Sequence, residues 1–157
     1  MVDEKKIKLA QQVYQILCEA IQKREWSFEK DEEKLLVHFC INGSDIPMEI
    51  IFVVDAARQL IRLTSPLPFK MSEAKRIDAA IATCAATYII ADGSFDYDIY
   101  DGTIVFRMTT SFSESLIGEE LIQYMISCTC TIMDKYNDQF LGLDKGVLST
   151  TDFISTD

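Results

Sequence analysis

His38 is the only histidine in the chain, and imidazole is the side chain whose ordinary pKa lies nearest neutrality. Any His-assisted nucleophile would have to use it. No serine stands in the G-x-S-x-G arrangement that would give it a partner. His38 falls in an alternating segment, with Leu36 and Cys40 on its own side. That position suits a partly buried structural residue. The other reading is a pocket between sheet and helix near His38, belonging to a small-ligand sensor or to an enzyme without a familiar motif.

The densest carboxylates are Asp92, Asp96, Asp98 and Asp101. The run DYDIYDG is a poor calcium loop: Tyr100 stands at the third ligand position, the glycine is one place late, and no glutamate closes it. Alternation with Phe95, Tyr97 and Ile99 explains these aspartates as the wet face of a hairpin. Cys128 and Cys130 lie two apart on a predicted helix and point to nearly opposite sides, so they cannot chelate one ion. Cys40 and Cys84 have no paired spacing, and no glycine cluster offers a phosphate cradle. No cofactor, metal or catalytic residue is expected, and the chain reads as a non-enzyme.

Composition bounds the partners. A chain of 157 residues with a net charge of -10 fits one domain and repels a phosphate backbone. Lys70, Lys75 and Arg76 are the nearest approach to a basic patch, and Glu73 and Asp78 flank them. Nucleic acid is therefore not expected as a partner. The charged start MVDEKKIK lacks the apolar core of a signal peptide, and no apolar run reaches a membrane span. These features, with five cysteines and no C-x-x-C, lead to the expectation of a cytoplasmic chain with reduced thiols and no membrane contact.

The elements that must position these residues follow from periodicity. Ile7, Ala10, Val13, Tyr14, Leu17 and Ile21 make an apolar stripe on a helix from Asp3 to Arg24. A short strand is expected around Trp26 to Phe28, followed by a polar turn from Glu29 to Lys34. Strands follow from Leu35 to Ile41, Ile46 to Val54 and Gln59 to Thr64, the first two joined at Asn42-Gly43. Pro66 and Pro68 are expected to end the third, having no N–H to donate. Phe95 to Tyr100 and Thr103 to Thr110 form a hairpin across Asp101-Gly102, with Arg107 facing Asp96 or Asp98. A last helix runs from about Leu116 to Tyr136, before a loosely held polar tail. The order is α-β-β-β-α-β-β-α, an α+β fold with helices packed on an antiparallel sheet.

Between the strand groups lies a segment with no charge from Ala79 to Ala91, within a helix expected from Ser72 to Gly93. Ile77, Ile81, Cys84, Ala85 and Tyr88 share one face, while Ala79, Ala82 and Ala86 cover much of the other. A helix apolar all round is buried all round. The larger face is expected against the sheet, and the small face against another helix of this chain or of a second copy.

Gly93 to Met108, GSFDYDIYDGTIVFRM, resembles the second hairpin of the YbjN-domain family, whose members are also named sensory transduction regulators. The uncharged helix and the pattern DKYNDQFLGLDKG, Asp134 to Gly146, resemble that family too. The resemblance runs from about Gln12 to Gly146 and implies a fold like that of type III secretion chaperones. Those are small acidic proteins that pair as dimers, often through the middle helix, bind a partner polypeptide in extended form and carry no catalytic residues. With the alanine face, this gives the expectation of a homodimer joined through Ala79, Ala82, Thr83 and Ala86, in a single domain over residues 1–146 with a tail over 147–157. A protein partner is expected along a strand edge near Trp26 and Phe28, or near Pro47.

Overall fold

The first helix starts where the sequence predicts: Asp3 caps it, accepting from the Lys5 amide at 3.1 Å. The computed structural model describes residues 3–155. In chain order its elements are α1 (Glu4–Gln22), β1 (Glu29–Asp31), β2 (Leu36–Asn42), β3 (Pro47–Asp55), β4 (Leu60–Lys70), α2 (Arg76–Ile89), β5 (Ser94–Tyr97), β6 (Thr103–Ser111), α3 (Glu119–Asp144) and α4 (Thr150–Ser155). The expected α+β architecture forms, with β1 and α4 as additional elements.

The strands make one antiparallel sheet in the order β1-β2-β3-β4-β6-β5. Strand alternation sends Val37, Phe39, Ile50, Phe52, Ile61, Leu63, Ile104 and Phe106 to one face, where all are buried. The long helices α1 and α3 cover that face with Val13, Leu17, Ile122, Met125 and Met133. No long helix covers the other face, which carries His38, Arg62, Thr64 and Arg107.

Several boundaries differ from expectation, each for a physical reason. The polar run Glu29–Asp31 is a strand, because β2 supplies partners for its backbone and its side chains need only water. β4 continues through Pro66 and Pro68. The two prolines stand two apart, so their missing N–H groups fall on one side of the strand, and the ladder to β3 stops at Ile51–Thr64 while β6 continues beside it. α3 does not stop at Asn137, whose buried side-chain amide donates to the Met133 carbonyl at 3.2 Å and the Asp134 carbonyl at 3.0 Å. It ends beyond Asp144, where Gly146 takes a φ of +73°.

The β5–β6 connection is wider than a two-residue turn. The Asp98 amide donates to the Thr103 carbonyl at 2.9 Å, and the Gly102 amide to the Asp98 carbonyl at 2.8 Å. Gly102 has φ +82°, and a Cβ there would lie 2.3 Å from the Met71 carbonyl oxygen. Arg107 pairs with Asp96, at 2.5 Å from Nε and 3.0 Å from Nη2, which settles the expected cross-strand pair.

Within the segment expected to be a loose tail, one residue reaches the interior. α4 drives Phe153, 4% exposed, against Tyr136 and Phe140, with ring centroids 6.2 and 5.0 Å away. Phe95 completes this aromatic group, 5.5 Å from Tyr136 and 5.1 Å from Phe140.

Candidate protein-binding surfaces

α2 is a good helix for local reasons: five of its fourteen residues are alanine, and its first turn carries Asp78. The small face packs against helices of this chain, one of the two expected alternatives, whereas the larger face, expected against the sheet, is exposed. Ala79, Ala82, Thr83 and Ala86 face inward, at 0, 0, 5 and 1% exposure. They pack within the single chain against β5, α3 and α4. A surface between two copies formed by these four residues is therefore corrected: they are already covered in cis. The reason is room. The aromatic group of Phe95, Tyr136, Phe140 and Phe153 fills the space beneath, and only small side chains let α2 approach it. Thr83 spends its hydroxyl inside its own helix, donating to the Ala79 carbonyl at 2.9 Å. Thr87 ties the helix to β5, its hydroxyl accepting from the Phe95 amide at 2.9 Å.

The consequence lies on the other side. Ile77 is 73% exposed and Tyr88 92%. With Ala80, Ile81, Cys84, Ala85 and Ile89 they line a shallow groove of about 770 Å³, closed at its sides by Ile99 and Ile154. No charged residue lines it. At its N-terminal end Asp78 holds its carboxyl below the usual carboxylate range, through the Thr150 hydroxyl and then the Lys75 ammonium at 3.2 Å.

The expected edge residues divide. Trp26 and Phe28 are half-buried and lead into β1, which is a lateral edge of the sheet. Trp26 lies against Phe39, centroids 5.5 Å apart, under the Arg24 guanidinium at 5.1 Å. Pro47 does not stand on a lateral edge: it opens β3, an inner strand, opposite Asn42.

His38 lies on the face without long helices, so a pocket between sheet and helix does not include it. Its Nε2 is 3.0 Å from Glu49 Oε1 and its Nδ1 3.6 Å from Glu29 Oε2. Among the described residues no cluster of three His, Cys, Asp or Glu side chains has metal-binding geometry. Burial pushes the Cys128 and Cys130 thiols upward in pKa, away from the thiolate. No described helix is long and apolar enough to cross a membrane.

The groove residues were missed by sequence reasoning because both faces of α2 are apolar and periodicity cannot rank them. The signal that existed was volume, small against large, and its sign depends on the aromatic group beneath.

No family model and no curated protein matches the sequence. Among solved structures, one chain of the HopA1–SchA chaperone–effector complex aligns with a TM-score of 0.62 at 12% identity, covering 88% of this chain and 99% of that one. The chain has a YbjN-like, chaperone-like fold. YbjN of E. coli itself aligns with a TM-score of 0.58 at 9% identity, over 80% of this chain and 92% of that one. At such identities the likeness is one of fold.

Proposed function

We propose that the chain is a non-enzymatic, cytoplasmic protein-binding module that works as a homodimer and holds an extended segment of a partner polypeptide. The observation that carries this reading is the uncharged, exposed face of α2. A chain with a net charge of -10 repels its own copy over most of its surface. Around Ile81, Cys84 and Tyr88 that repulsion is weakest and the apolar area most worth hiding. Two such helices, each roughly 21 Å long at 1.5 Å per residue, bring like surfaces together about a twofold axis. The partner segment adds beside β1, where Trp26 and Phe28 supply apolar pockets next to unpaired strand amides. The fold it shares with a chain of a chaperone–effector complex supports the choice of a polypeptide as partner.

Light scattering behind size exclusion tests the dimer: at micromolar concentration the mass should be twice that of one chain. Ile81→Glu should return it to one chain with an unchanged far-UV spectrum. A monomeric wild-type chain removes the dimer. Retention of a bound polypeptide should be lost in Trp26→Ala with Phe28→Ala and kept in Ile99→Ala. Retention unaffected by the Trp26/Phe28 pair places the partner elsewhere.

A further inference from the structure

The face of the sheet that carries no long helix holds the other unusual feature. Val53 of β3 stands between Leu36 and Arg62, Arg62 stands opposite Thr109, and Arg107 lies two residues along β6, opposite Thr64. Val53, Leu60, Arg62, Arg107 and Thr109, with Asp55 and the turn residue Arg58, line a recess of about 320 Å³ that Lys34 also borders. Four cations thus converge on one small volume of a strongly acidic chain. Three of them have a carboxylate: Lys34 meets Asp31 at 3.1 Å, Arg58 reaches Asp55 only at 4.0 Å, and Arg107 holds Asp96. One positive charge is left over, on Arg62. Its guanidinium has no ion pair or hydrogen bond among the described residues.

We infer that this recess binds a small organic anion, a carboxylate or phosphate carried on an apolar body, with Arg62 taking the anionic group. An arginine fork presents two parallel N–H groups to such a ligand. Val53 and Leu60 supply an apolar floor, which lowers the local dielectric and strengthens the pair. The volume lies at the small end of the range for ligand pockets. Charge also decides between ligand sizes. A long polyanion would drag further negative groups across an acidic surface, whereas a single small anion meets a recess in which four cations outnumber the one carboxylate, Asp55. This site does not depend on the α2 groove, which lies across the helical layer.

The probe is phenyl phosphate, with phenol as its neutral counterpart and a glutamate-containing decapeptide as the polymeric one. Calorimetry should show saturable binding of one phenyl phosphate per chain. The Arg62 Nε–H signal should shift in nitrogen-correlated NMR, and the affinity should fall as salt rises. Arg62→Ala should weaken binding about tenfold or more, the loss expected for a charge-assisted bond, with an unchanged melting temperature. Lys6→Ala, on α1, should bind as wild type. Ile81→Glu should also bind as wild type, which separates this site from the dimer. Equal affinity in wild type and Arg62→Ala, equal affinity for phenol, or no saturation at millimolar probe would overturn the proposal. So would tighter binding of the decapeptide, which assigns the recess to a polypeptide.

Discussion

α1 and α2 belong to the same helical layer yet bury opposite kinds of side chain. α1 turns Val13, Leu17 and Ile21 inward and leaves lysines and glutamates in water. α2 turns its alanines inward and leaves isoleucines and a tyrosine outside. The difference teaches that the size of a buried side chain is set by what already occupies the space it enters. Beneath α1 the sheet offers a floor of Val37, Phe39 and Phe52 that large aliphatic groups can reach. Beneath α2, four aromatic rings from β5, α3 and α4 have taken that volume. The larger apolar residues of α2 are then left over, and a face left over in this way is one another molecule can cover.

Substitutions can break that contrast. The largest effect is expected in α1, where Leu17→Ala opens a cavity and should cost about 2–5 kcal/mol in urea unfolding. Ala82→Leu on α2 is the converse, forcing volume into a filled space, and should cost about 1–3 kcal/mol. A neutral or stabilising Ala82→Leu would show that the aromatic group leaves room after all. Ile81→Ala, on the exposed face, should change the stability of the isolated chain by about 0.5 kcal/mol or less. Measured at rising protein concentration, the proposed dimer predicts that its midpoint falls behind that of wild type, which alone would gain from association.

The smallest effect expected is electrostatic and lies at the hairpin that flanks α2. The Lys70 ammonium, at 2.5 Å, and then the Thr103 hydroxyl and amide hold Asp101 down to about 2. A carboxyl lowered from 3.8 on folding stabilises the folded chain fully above that value. The contribution is lost as pH falls through about 2. Asp101→Asn should therefore lower stability slightly at pH 4 and above, with the deficit against wild type vanishing as pH falls towards about 2, read by thermal melts across pH.

Much of this architecture was legible in the residues. The alternation from Val37 to Ile41 and from Met48 to Val54, the α1 stripe and the pairing of Arg107 with an aspartate two residues from a hairpin start all follow from period and spacing. These are local statements, and the structure agrees with them. What escaped was non-local. The inner face of α2 depends on rings as distant in sequence as Phe153. The role of Phe153 depends on a site that only forms when β5 and α3 have met. The Arg62 recess gathers basic residues from two turns and two strands, Lys34, Arg58, Arg62 and Arg107, over an apolar side chain of a third strand, and they are spread along the chain. Pro47 fits either an edge or a strand start, and sequence alone does not choose; in the structure it is the first residue of β3.

Pro66 and Pro68 carry one more consequence. Where β3 parts from β4, a stretch of main chain stands open along one flank, and such a flank is where an intruding strand would zip in and begin an aggregate. Two missing amides on that flank deprive an intruder of its anchors. A chain protected in this way resists strand-to-strand association, and Pro66→Val should shorten the time it takes to turn cloudy on gentle heating.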